Sequence, residues 1–314
     1  MTAPPPPARP PRRRRRFLAS CIVLIIAIVA GVWIWGAIPE PTGSASGDGV
    51  SGILPPMPPG KTVFRVATFN MHSGVGGADN IYNIGRTADA VRNTDLCALQ
   101  ECRGYFFGPI TSQAQLLGEK TNRAWLYAPS ERRYWHDEFG NGLLTNVPVE
   151  SWVRMPLPIE PAHGGRRDAV IARVDFGGHP ATVLFCHIDR KKDQATQLEL
   201  IRRLFQSLKP PCLLLADLNA EASNPHIQAI LALPGVHDCI AEAHADEKTR
   251  NRIDWILAIG FKTVGGGRLQ NGASDHPIYW ADVRPEQGPY GEREVRQPTS
   301  IHIARHADHP SGAE

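Results

Sequence analysis

Carboxylates, amides and imidazoles stand at the ends of apolar runs along this chain. Gln100-Glu101 closes the run from Asp95, Asp217-Leu-Asn219 closes Cys212-Leu-Leu-Leu-Ala, and Ser274-Asp275-His276 comes near the end of the globular region. Together they offer what hydrolysis of a phosphate ester needs: hard oxygen ligands for a divalent cation, donors for phosphoryl oxygens, and an imidazole that moves protons near neutral pH.

Each residue type has its own use. Asn70 ends the run Val63 to Phe69, where a side-chain amide can bind a hard cation or a phosphoryl oxygen, or simply form a turn. Glu101 leaves a buried-looking run, so its carboxylate reaches the rim, and Mg²⁺ uses one or two such groups while keeping several waters. Asp217 and Asn219, spaced i, i+2, point to the same side of an extended chain. The carboxylate suits holding a water and the amide suits contacting phosphate, the alternative being an Asx turn. His187 ends Val183-Leu-Phe-Cys186, with Asp189 at the same spacing. Asp254, in Arg252-Ile-Asp-Trp-Ile-Leu257, is costly to bury unless paired or metal-bound, and its natural partner is an imidazole. Asp275-His276 supplies one, and a His oriented by a carboxylate can take a proton from water.

The elements that must hold these groups are mostly strands. Val63 to Phe69 alternates as a strand, Ile81 to Arg92 carries helical spacing, and Leu96 to Gln100 is again a strand. Helical pattern returns at Ile110 to Thr121 and at Gln194 to Leu208, where Leu198, Ile201, Leu204, Phe205 and Leu208 share one face. Strands are expected at Ala124 to Tyr127, Gly142 to Thr145, Val149 to Met155, Ala169 to Phe176, Ala181 to His187, Cys212 to Leu218, Ile253 to Ile259 and Pro277 to Val283. This series fits an α/β protein of two packed sheets with helices outside. Gly265-Gly-Gly267 reads as a turn, since no helix start with Lys and Ser or Thr follows it.

The ends of the chain are of another kind. Residues 1–16 are rich in Pro and carry Arg12 to Arg16; Phe17 to Ile38 is 22 residues without a charge, enough to cross a hydrocarbon core of about 30 Å. The Arg run before the span, and Trp33 and Trp35 near its other end, place the N-terminus in the cytoplasm and the remainder outside it. The alternative is a cleaved signal peptide, with Ser44-Ala45-Ser46 as the processing site, giving a secreted protein. Residues 39–60, dense in Pro, Gly and Ser, read as a flexible linker, residues 61–284 as the catalytic domain, and 285–314 as a disordered tail. The net charge of +3 comes from six Arg in residues 1–38, which leaves a near-neutral domain without the basic stripe of a tight duplex binder. The cysteines lack C-x-x-C spacing and read as buried thiols.

Thr68-Phe-Asn70, Gln100-Glu101, Gly140-Asn-Gly142, His187, Asp217-Leu-Asn219, Arg252-Ile-Asp254 and Ser274-Asp275-His276, in this order, resemble the endonuclease/exonuclease/phosphatase superfamily over about Thr62 to Val283. The resemblance implies a four-layer α/β/β/α sandwich, similar to pancreatic-type deoxyribonucleases, with the active site at one end of the two sheets. It implies Asn70, Glu101 and Asp275 as ligands of Mg²⁺ (or Mn²⁺), and His276 with Asp254 as general base or proton relay. Asp217 would orient the water, Asn219 and His187 would contact the phosphate, and Arg103 and Arg167, with Arg166 as its neighbour, would approach it. Tyr134 is the candidate for a phosphate-contacting tyrosine. His72 stands where many DNA-repair members carry Asn or Asp, and Asn-x-His-x-Gly looks more like the bacterial and sphingomyelinase-like branches. The expected activity is that of a membrane-anchored phosphodiesterase acting on nucleic acid or a phospholipid head group, with no obligate protein partner. The alternatives are a phosphomonoesterase on the same core and a catalytically silent surface binding domain.

Overall fold

The computed structural model describes residues 12–38, 40–105, 108–134, 137–159, 165–245 and 251–286. The expected tail, 285–314, lies outside them except for its first two residues. The chain opens with helix α1 (Arg12–Gly36) and three short strands, β1 (Glu40–Pro41), β2 (Ala45–Asp48) and β3 (Ser51–Gly52). There follow β4 (Phe64–Asn70), α2 (Ile84–Val91), β5 (Leu96–Gly104), α3 (Gln113–Thr121), β6 (Ala124–Arg132), β7 (Glu138–Thr145), β8 (Val149–Pro156), β9 (Asp168–Asp175) and β10 (Pro180–His187). The last elements are α4 (Gln194–Ser207), β11 (Cys212–Asp217), α5 (Pro225–Leu231), β12 (His237–Asp238), α6 (Cys239–Glu242), β13 (Asp254–Ile259), β14 (Phe261–Leu269) and β15 (Ile278–Pro285).

Two sheets result, one ordered β1-β6-β7-β5-β4-β15-β14 with β3 also on β6, the other β12-β13-β11-β10-β9-β8-β2. Three apolar clusters fill the gaps between four layers: Val66, Leu96, Val183 and Leu213 between the sheets; Phe69, Leu99, Val91 and Leu117 under α2 and α3; Leu184, Leu214, Leu198 and Phe205 under α4 and α5. Central strands are therefore buried on both faces and read as continuous apolar runs. Helix α4 buries Leu198, Ile201, Leu204 and Phe205 as its spacing predicts, each contributing roughly 1.5–3 kcal/mol. Asn83 and Ser112 cap α2 and α3 by accepting N–H groups of the first turn.

Each sheet has one parallel pair at its centre: β4 with β5 through α2, and β10 with β11 through α4. Parallel pairing carries two strand C-termini to the same end, so register alone sets Asn70 beside Gln100 and His187 beside Asp217; antiparallel β13 adds Asp254 opposite Asp217. This is the site end; the β9–β10 hairpin and the start of β4 mark the far end.

Two expectations change. Residues 39–60 are not a free linker throughout, because β1 and β3 pair with β6, and β2 pairs with β8, covering sheet edges that would otherwise expose unpaired N–H and C=O groups. Gly265 to Gly267 lie within β14, paired to β15 across a bulge, where small residues admit the Trp280 ring against Gly267. Helices α5 and α6 had no expectation. Helix α1 is long and apolar enough to cross a membrane or to serve as a signal sequence, with a mean hydropathy of 2.8 over its apolar window. All six cysteines are free, and the five outside α1 are buried.

Candidate active site

At the site end, Asp217, Asp254 and His276 bring ligand atoms within 4.8 Å of one another. His276 Nδ1 lies 2.9 Å from Asp254 Oδ2, the pairing the sequence anticipated. Burial lowers the affinity of the ring for its proton, but the bond to Asp254 and the charges of Asp254, Asp217 and Asp275 outweigh it and raise His276 to about 9. The carboxylates around it thus favour the protonated, donating form of the ring. Asp217 moves the other way in function: burial, then the charge of Asp254, raise its carboxyl to about 7.

Asn70 Nδ2 donates to Asp217 Oδ2 at 2.9 Å and to Glu101 Oε1 at 3.2 Å, while its Oδ1 accepts from His72 N. That last bond fixes the amide orientation, so Asn70 offers N–H, not oxygen, to the carboxylates. In this arrangement Asn70 clamps two carboxylates. Glu101 is turned out of β5 by a bulge, with φ of 60°, in the left-handed region. Ser274 Oγ donates to Asn70 O at 2.7 Å and accepts from His276 N, pinning the loop; Asp275, adjacent, is half exposed.

Asn219 N donates to Asp217 Oδ1 at 2.9 Å, so the Asx turn and the site are the same feature. Asn219 Nδ2 lies 3.0 Å from both His187 Nε2 and Ile188 O, which makes Nε2 the acceptor and leaves the proton on Nδ1. Buried His187, its affinity for a second proton lowered by burial and by the Arg167 and His276 charges, stays neutral. Its buried Nδ1 has no hydrogen-bond partner among the described residues, and His187 lines a recess with Ser130, Phe139, Gly140, Asn141, Arg167 and Asp168. Arg103 and Arg167 flank Phe139, their guanidinium carbons 5.3 and 5.4 Å from its ring centroid, and Arg103 Nε donates to Ser73 Oγ. Tyr134, at the same end, stacks on Trp35 and is not among the residues lining this recess.

Asn141 and Asp168 were not singled out as site residues. Asn141 Nδ2 donates to Asp168 Oδ1, and Arg154 Nε is 4.0 Å from Asp168 Oδ2. The available signals were an amide between Gly140 and Gly142 and an acid opening the apolar run from Ala169. A side chain at Gly140 would meet Ala128 O at 2.2 Å, so only glycine lets β7 pass there.

The model for the endonuclease/exonuclease/phosphatase family matches residues 67–276, which contain every one of these groups. The chain belongs to that family. Among solved structures it is similar to the endonuclease/exonuclease/phosphatase of Beutenbergia cavernae DSM 12333 (22% identity, TM-score 0.59, 72% of each chain covered). It is also similar to a Bacteroides thetaiotaomicron mannosyl-6-phosphatase (16%, 0.54, 70% of this chain and 99% of that one). The human Nocturnin catalytic domain with bound sulfate is a third (14%, 0.54, 78% and 99%). No curated protein sequence matches the chain. The family's two-sheet fold is the one described above, and its members are generally phosphoester hydrolases, typically with divalent metals. The donors fit such an ion: Glu101 and Asp217 share the Asn70 amide, and the buried Asp254 Oδ1 has no hydrogen-bond partner among the described residues.

Proposed function

We propose that the protein is a membrane-anchored, divalent-metal-dependent phosphodiesterase. The observation that carries the reading is the buried Asp217–Asp254–His276 cluster, with its shifted carboxyl and imidazole, at the end where both parallel strand pairs terminate. Glu101 and Asp275 would hold Mg²⁺ or Mn²⁺, which when bound neutralises charge on the phosphate's non-bridging oxygens. Asp217, titrating near 7, orients a water and accepts its proton at a carboxylate oxygen. His276, held by Asp254 through Nδ1, presents Nε2–H to the phosphoryl or leaving oxygen. His187 Nδ1–H and the Arg167 guanidinium offer further donors from the recess.

Retention of the anchor is supported by the segment that follows it: Ala45 and Ser46, where signal cleavage would fall, pair with Arg154 and Val153 inside β2. The full chain should hydrolyse bis(4-nitrophenyl) phosphate with Mg²⁺ or Mn²⁺ and lose this activity with chelator. Turnover of 4-nitrophenyl phosphate alone would make it a phosphomonoesterase, and turnover of neither, with the domain folded, a binding domain.

A further inference from the structure

We propose that the active-site end of the domain docks on the bilayer that holds α1, against an anionic leaflet, and takes its phosphodiester from that leaflet. This rests on the membrane-anchored phosphodiesterase reading above. The tether is short and enters at one end. From Gly36, the last residue of α1, to Glu40, the first of β1, a fully extended chain reaches about 14 Å. It is shorter here, since the N–H groups of Ala37 and Ile38 still bond to Trp33 and Trp35 carbonyls. Glu40 and Pro41 pair with Arg132 and Glu131, next to Ser130, which lines the recess shared with His187 and Arg167. Trp35 stacks on Tyr134 with ring centroids 5.0 Å apart, and Tyr134 Oη donates to Glu40 Oε2 at 3.3 Å. Only then does the chain run along the sheet edges, through β2 and β3, to the far end where β4 begins.

The surface at that end has matching chemistry. Trp33 and Trp35 are exposed at the outer end of α1, the level of lipid head groups. Arg190, Lys191 and Lys192 are exposed on the loop that follows His187, and Arg132 is exposed on β6. Exposed cations held within about a Debye length of a bilayer are drawn to its anionic head groups, whereas a duplex from bulk solution would have to enter between domain and bilayer.

The test uses the full chain in vesicles of phosphatidylcholine and phosphatidylglycerol, with one fluorophore at Arg190→Cys or, at the far end, at Lys262→Cys, and an acceptor on the lipid head groups. Eight-residue strands separate the two ends by about 26 Å, so transfer from position 190 should exceed that from 262 several-fold. Equal or reversed transfer overturns the orientation. A Gly/Ser insertion of about twenty residues between Ile38 and Pro39, about 25 Å in root-mean-square length, should lower head-group release from phosphatidylglycerol several-fold and leave soluble bis(4-nitrophenyl) phosphate hydrolysis unchanged. Lipid turnover indifferent to the insertion, or duplex DNA cleaved in preference to lipid, overturns the proposal. Failure to hydrolyse the soluble diester in the parent chain is a failure of the phosphodiesterase reading instead, and the label positions still report the orientation.

Discussion

Where β9 turns into β10, at the far end, Phe176 packs edge-on against Phe64 and Phe261, ring centroids 5.1 and 5.5 Å apart and all three rings buried. At the other end of the same sheets, His187, Asp217 and Asp254 are buried side by side in register. The aromatic end gains from every group it removes from water. The site end buries carboxylates whose charged forms are disfavoured, and holds His72, Ser73, Glu101 and Asn219 at positive φ. One end therefore stabilises the fold and the other spends part of that stability on positioning.

If this division holds, the two ends should separate activity from stability. Asp217→Asn should lower the rate of phosphodiester hydrolysis by about 10²–10⁴-fold, the usual range for loss of an acid–base group. Above pH 7 it should leave unfolding by denaturant unchanged or shift it to higher concentration, because the carboxyl it removes is raised to about 7 by burial. Phe176→Ala should do the reverse. It should cost about 3–5 kcal/mol of stability while the activity per folded molecule stays near the parent's. A large rate loss in Phe176→Ala at full folding would break the comparison.

The aromatic end was the easier to read. Runs such as Val183-Leu-Phe-Cys186 declare buried strands, and α4 declares its face, because period and apolarity are local properties. The Asp254–His276 pair was also legible, since an acid inside an apolar run demands a partner. Pairing with distant edges was not: Ala45 to Asp48 has nothing in its composition to tell a linker from a strand on β8, and the three glycines of β14 remove the side chains that would show alternation. Asn70 was placed at the right point but its contacts were not legible, because the side on which its amide presents N–H depends on His72 N, a tertiary detail.

Asp168 sharpens the comparison through pH. It is fully buried at the site end, and burial, partly offset by the Arg154 charge and the Asn141 bond, raises its carboxyl to about 7. Unfolded, it titrates near its ordinary value of about 3.9, so between there and 7 the folded protein keeps a proton that the unfolded chain has lost. Stability from this group is full below about pH 4 and is lost as pH rises through 7, by at most about 4 kcal/mol. Denaturant unfolding at pH 5 and pH 8 reads the loss. Asp168→Asn, which keeps an oxygen for Asn141, should remove this group's share of the difference, Asp217 and His276 contributing the rest, and an unchanged slope would place the titrating group elsewhere.

The smallest effect expected is at Glu101. A side chain in the left-handed region costs about 1–2 kcal/mol, and glycine there costs about 0.5–1 kcal/mol in chain entropy instead. Glu101→Gly should therefore raise stability by about 0.5–1 kcal/mol while metal-dependent hydrolysis falls, a trade confined to the site end. Among the described residues, the hydrogen bond its carboxylate stands to lose is the 3.2 Å one from Asn70, long for a charged acceptor, and its removal also takes one negative charge away from Asp217. A measured loss of stability would mean that the Asn70 clamp, rather than the strained backbone, decides the energetics of the bulge, and that this part of the site is as well paired as the aromatic end.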